Sequence, residues 1–154
     1  MDISKKGLDI ITVSESLRLT AYLDFRGIPT IGWGHTGKDV KMGMKIMEEQ
    51  ALVFLQKDCE TAENFIEHFL FPVKLDQNQF DALVSFVFNI GVGNFQTSAV
   101  AKMIKRGEPK GSQRLKNAFL LWIKGENPET HKYEILQGLF VRRNKEANLY
   151  ASTS

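Results

Sequence analysis

The sequence predicts an α+β fold, in which a small sheet-bearing N-terminal lobe is joined by one long helix to a larger helical lobe. Three features carry that prediction. Two strand-like runs meet at Asp24-Phe25-Arg26-Gly27, an apolar stripe repeats at helical spacing from about 47 to 70, and capped helical segments fill most of the chain beyond Pro72. A length of 154 residues suits one domain over residues 1–154. Within it, residues 14–70 make the sheet lobe and connecting helix, while residues 71–154 with the N-terminal helix make the helical lobe.

In chain order, Leu8, Ile11 and Ile3 recur at helical spacing over residues 3–14, a short amphipathic helix ending near Glu15. The runs Leu17 to Leu23 and Ile28 to Trp33 alternate like strands, with Thr30 and Gly32 on one face and Ile31 and Trp33 on the other. Pro29 belongs at a strand end or edge, since it cannot donate a ladder hydrogen bond. Residues 34–43 read as loop. Ala51, Leu55, Cys59, Ala62, Ile66 and Phe69 then mark the long helix, stopped at Pro72. Asp76 with Gln79 forms a capping box for a helix that ends at Gly91. Further helices are predicted at 97–106 (closed by Gly107), 112–123 and 136–150. Phe54, Phe65, Phe69, Phe71, Phe80 and Phe86 are expected in the core.

Hydrophobic residues at 43% and charged residues at 25% are those of a globular protein. A net charge of +2 would suit an anionic target, but acidic residues interleave the basic ones, against a nucleic-acid partner. Cys59 is the only cysteine, so no internal disulfide forms; its apolar neighbours predict a buried, inert thiol. No stretch approaches the roughly 20 apolar residues of a membrane span. The expectation is therefore a soluble chain, made in the cytoplasm without stable membrane insertion.

Glu15, Asp24 and Thr30 converge where helix, hairpin and return strand meet. Two carboxylates and a hydroxyl facing one cleft suit glycoside hydrolysis, where an acid protonates the leaving oxygen and a base prepares the nucleophile. Their spacing alone is better explained by a turn-initiating Asp24, a strand-favouring Thr30 and a surface Glu15.

The surrounding residues decide between these. Glu15-Ser16-Leu17-Arg18-Leu19-Thr20-Ala21-Tyr22-Leu23-Asp24, then Gly27-Ile28-Pro29-Thr30-Ile31-Gly32-Trp33-Gly34-His35-Thr36, closely resembles the phage lysozymes of glycoside hydrolase family 24. The likeness continues through Leu75-Asp76-Gln77-Asn78-Gln79-Phe80-Asp81-Ala82-Leu83, Phe88-Asn89-Ile90-Gly91, Ala118-Phe119-Leu120-Leu121-Trp122 and Arg142-Arg143. It implies a lysozyme-like fold and an endolysin, an inverting muramidase that cuts the β-1,4 bond between N-acetylmuramic acid and N-acetylglucosamine in bacterial peptidoglycan. Glu15 would be the general acid, and Asp24 and Thr30 would hold and activate water.

The resemblance also implies that Arg142, or its neighbour Arg143, reaches across the cleft to Glu15, with Arg142 favoured. It implies that His35 pairs with Asp58 on the long helix, a structural link. Thr36, Phe88, Asn89 and Ser98 become candidate substrate contacts, although Phe88 fits the core equally and Thr36 and Ser98 fit caps or loops. Asn89, polar in an apolar run, suits an acetamido group. No metal spacing is present and no cofactor is implied. A monomer is expected, acting on the wall or periplasm after a separate holin has permeabilised the host membrane. Residues 125–133 depart from the family's usual sequence. A silent wall-binding module would not need the acid Glu15, and a lytic transglycosylase would not need Asp24 with Thr30.

Overall fold

Gly7, Ile10 and Ile11 form the buried stripe of α1 (Lys5–Ser14) in the computed structural model, which describes residues 1–153. A Cβ on Gly7 would lie 2.6 Å from Ile3 and 2.9 Å from Asp81, so glycine is what allows α1 so close to the later helix that carries Asp81. Asp81 in turn accepts from the Ser4 amide at 2.8 Å and from its hydroxyl, satisfying the start of α1 from a distant element.

β1 (Arg18–Leu23) and β2 (Pro29–Gly32) form the expected antiparallel hairpin, with Tyr22 opposite Thr30 and Leu23 opposite Pro29. Pro29 stands at the strand's first position, where its missing N–H is harmless. Residues 34–43 are not wholly loop: β3 (His35–Thr36) extends the sheet, with Ile31 opposite His35. Two residues carry no period for a sequence to display. Beyond it the chain returns along the free edge of β1, where the Ala21 amide donates to Met44 at 2.9 Å and the Ile46 amide to Leu19 at 2.9 Å. Residues 30–33 are all buried, because β2 lies between β1 and β3 with the next helix packed across it.

That helix is α2 (Glu48–Leu70), and Ala51, Leu55, Cys59, Ala62, Ile66 and Leu70 are its buried stripe. Phe65 and Phe69 stack at 5.1 Å and meet Phe95 edge-on, a geometry that ring quadrupoles favour. Phe71 is not in the core. It is 80% exposed, because it caps the C-terminus of α2 and lies past the turn whose stripe faces inward.

α3 (Gln77–Ile90) opens with the expected capping box: Asp76 accepts from the Gln79 amide at 2.8 Å, and Gln79 accepts from the Asp76 amide at 2.9 Å. It closes at Gly91, whose φ of 90° a side chain would resist. The helix expected over 97–106 is α5 (Ala99–Lys105), which Ser98 caps, and a short α4 (Val92–Gln96) that the sequence does not predict stands before it. α6 (Gln113–Phe119) stops short of 123. The chain instead enters a second hairpin that its hydropathy pattern does not predict, β4 (Lys124–Glu126) with β5 (Tyr133–Ile135). α7 (Gln137–Ala151) then packs on α3, α6 and α1.

Candidate active site

Glu15 is the C-cap of α1, its amide donating to Ile11 at 2.8 Å before the chain turns extended toward β1. Its side chain is 34% exposed, and Arg142 Nη1 donates to Oε1 at 3.0 Å. Of the two candidate arginines it is therefore Arg142 that meets Glu15. Neighbouring helical positions are about 100° apart, so Arg143 points elsewhere: Nε donates to the Trp122 carbonyl at 2.9 Å, and Nη2 donates to Asn89 Oδ1.

Both arginines are buried, and both meet Glu146, also buried. Arg142 Nε donates to it at 3.3 Å, Arg143 donates to its other oxygen, and the Ser85 hydroxyl donates at 2.6 Å. Arg142 Nη2 also donates to the Ser85 carbonyl at 3.1 Å. Two guanidiniums thus face two carboxylates, Glu146 and Glu15, in a bonded network. One oxygen of Glu15 is fixed by it. The other, Oε2, has no hydrogen-bond partner among the described residues, on a side chain that is partly open to solvent.

Asp24 is held differently. Oδ1 accepts from the Arg26 amide at 2.8 Å and the Ile28 amide at 3.0 Å, and the Asp24 amide donates to the Ile28 carbonyl at 3.0 Å. The hydroxyl of Thr30, itself buried, donates to the same carbonyl at 2.8 Å. Asp24 and Thr30 are therefore referenced to one peptide unit. The Ile28 amide above all, then the Arg26 amide and guanidinium, hold Asp24 below the usual carboxylate range, so it is ionised at neutral pH.

His35 Nδ1 meets Asp58 at 2.8 Å on α2, its ring stacked on Phe54 at 4.2 Å. A second carboxylate, which the sequence alone does not point to, lies on the other nitrogen: Asp39, at 3.0 Å from Nε2. Burial pulls the imidazole down, yet the bonds to Asp39 and Asp58 outweigh it and hold His35 above its ordinary 6.5. The bond to His35 lowers Asp39, while burial raises Asp58 despite the same partner. Cys59 is buried and its thiol is pushed up to about 12, chiefly by burial.

The remaining candidates scatter. Thr36 is exposed at the end of β3, and Phe88 is half-buried against the core. Asn89 is exposed, its Oδ1 taken by Arg143 while Nδ2 stays open. Ser98 is 4% exposed, its hydroxyl accepting from the Ala101 amide at 3.1 Å and donating to Phe95 at 2.7 Å, so it caps α5. Sequence reasoning misses Ser85, Glu146 and Asp39. The first two are legible in part, since Arg142 and Arg143 stand four and three residues before Glu146. No cluster among the described residues has metal-ligand geometry.

A family model described as phage lysozyme matches residues 12–146. The endolysin of Salmonella phage P22 is 41% identical over 157 residues, covering 99% of this chain and 99% of that protein. The solved endolysin from Escherichia coli O157:H7 phage FAHEc1 shares the fold at TM-score 0.83 and 40% identity, over 97% of this chain and 93% of that one. The muramidase domain of SpmX from Asticaccaulis excentricus does so at TM-score 0.86 and 32% identity, over 98% of each chain. The likeness runs from the α1 residues before Glu15 to the arginine that anchors it, and the chain belongs to the phage lysozyme family.

Proposed function

We propose that the chain is an endolysin that hydrolyses the β-1,4 bond between N-acetylmuramic acid and N-acetylglucosamine with inversion, Glu15 acting as general acid and Asp24 with Thr30 as the water-holding pair. Family membership makes it a muramidase, a glycoside hydrolase of bacterial peptidoglycan. The observation that carries the residue roles is the asymmetry at Glu15. Arg142 fixes Oε1, and Oε2 is left open to a leaving oxygen.

In this mechanism Glu15 gives its proton to the glycosidic oxygen as the bond to the muramic acid C1 breaks. Water attacks C1 from the opposite face and passes its proton to ionised Asp24, while the Thr30 oxygen holds the water by accepting its second hydrogen. Asn89 Nδ2 and Thr36 are available to bond acetamido or hydroxyl groups, and Phe88 offers an apolar edge. Ser98 already uses its hydroxyl in the α5 cap, as donor to Phe95 and acceptor from Ala101. The enzyme works as a monomer on the wall. It is made in the host cytoplasm and reaches its substrate once a separate holin has opened the membrane. No helix of the described residues is long and apolar enough to cross a membrane.

The test is release of chain ends from purified walls by the wild type and by Glu15→Gln. The wild type is expected to clear turbidity with new reducing ends, and the variant to lose about 10²–10⁴-fold in rate with its melting unchanged. Anhydro ends would assign a transglycosylase instead, and near-wild-type release by folded Glu15→Gln would remove Glu15 from the reaction.

A further inference from the structure

Phe25 directly follows Asp24, and at 90% exposure it contributes nothing to the core. Arg26 over its ring at 5.6 Å is its one ring contact among the described residues. Across from it stands the second hairpin. A cavity of about 620 Å³ opens between Phe25 on one side and Glu126, Pro128 and His131 on the other. Glu126 pairs with Tyr133 across the β4–β5 ladder, so the exposed Tyr133 ring shares the face that borders this opening.

The hairpin is built to hold its shape. Asn127 Nδ2 donates to Glu134 at 2.6 Å, its Oδ1 accepts from the Glu129 amide at 2.9 Å, and its backbone amide donates to Lys132 at 2.8 Å. His131 takes a φ of 60° to close the turn, its amide donating to Asn127 at 2.7 Å. At the foot, the Leu136 amide donates to Ile123 at 2.9 Å, and α7 begins at the next residue. Arg142 stands five residues into α7, about 7.5 Å along its axis. The second hairpin thus leads straight into the helix that carries the anchor of Glu15, and the residue facing it across the opening, Phe25, directly follows Asp24.

We propose that Phe25 and the Pro128-to-His131 turn form a further sugar-binding subsite, in which the phenyl ring stacks on the apolar face of a glycan-strand residue beyond the scissile bond. This rests on the muramidase reading above. A pyranose with equatorial substituents offers C–H faces to an aromatic ring and hydroxyl or acetamido groups at its rim. The opening supplies both partners, an apolar ring with Pro128 and a polar edge at Glu126 and His131. Its mixed charge, with Glu126 beside His131 at 3.6 Å, suits a neutral sugar better than an ionised stem peptide.

The test is steady-state kinetics on soluble glycan strands free of stem peptides. Phe25→Ala is expected to raise KM about fivefold, equivalent to about 1 kcal/mol, with kcat and melting unchanged, and Phe25→Trp to restore KM. His131→Gly, which keeps the positive φ available, is expected to raise KM from the opposite side. Unchanged KM in Phe25→Ala overturns the subsite while leaving the muramidase reading intact. So does a loss confined to kcat, which marks a disturbed Asp24 turn, or a KM effect seen only on peptide-bearing wall. A wild type that releases no reducing ends from these strands overturns the muramidase reading and the subsite together.

Discussion

Glu15 is positioned by an arginine 127 residues away in the chain, whereas Asp24 is positioned by the backbone of its own turn. The difference separates two kinds of fragility. The Glu15 anchor depends on two buried arginines that share the buried Glu146, so removing Glu146 leaves both uncompensated in a poor solvent for ions. The Asp24 anchor uses main-chain amides that no side-chain substitution deletes. One carboxylate is held by tertiary structure, the other by local structure.

The largest expected effect breaks the first kind. Glu146→Ala strands Arg142 and Arg143 against each other in the interior and is expected to cost about 3–5 kcal/mol of stability, with a loss of turnover as Arg142 leaves Glu15. Denaturant unfolding checks it, and a variant as stable as the wild type would show that the network is dispensable. The second kind breaks kinetically. Thr30→Val keeps the side-chain volume and the Asp24 turn but deletes the hydroxyl. It is expected to lower kcat about 10²-fold, worth about 2.7 kcal/mol of barrier, while the buried hydrogen bond costs only about 1 kcal/mol of stability. Equal losses in stability and barrier would make Thr30 merely structural.

The smallest effect concerns the clamp of Asp39 and Asp58 on His35. The folded pKa of His35 is raised, so its contribution is complete below the unfolded value of about 6.5 and disappears as pH rises through the folded one. That of Asp39, whose pKa is lowered, disappears as pH falls through its folded value. The stability gap between wild type and His35→Asn is therefore expected to be about 1–3 kcal/mol near pH 5.5 and to shrink on going to pH 9. A gap that stays constant with pH would mean that His35 acts through its stacking on Phe54 rather than its charge.

The same contrast governs what is legible in the chain. α2 and α3 are long enough to repeat their apolar period several times and carry start and stop signals at Asp76, Pro72 and Gly91, so their bounds follow from the chain alone. Asp24 and Thr30, bonded within seven residues, read as a turn from sequence because their partners are local. The β4–β5 hairpin does not, since three-residue strands as polar as Lys124-Gly125-Glu126 repeat no apolar period. Ser98 fits either a cap or a substrate contact in the sequence, and its cap bonds within α5 appear only in the structure. Asp39 is invisible in the sequence because its link to His35 runs through a loop whose course no local preference fixes.

The anomeric configuration of the newly released reducing end, followed by NMR before mutarotation, tests the division of labour between Glu15 and the Asp24–Thr30 pair most directly. If Asp24 and Thr30 hold a water across the sugar from Glu15, the β-linked substrate gives an α-configured product. A β-configured product would mean that Asp24 attacks the sugar itself, and that no water is held there for the first displacement.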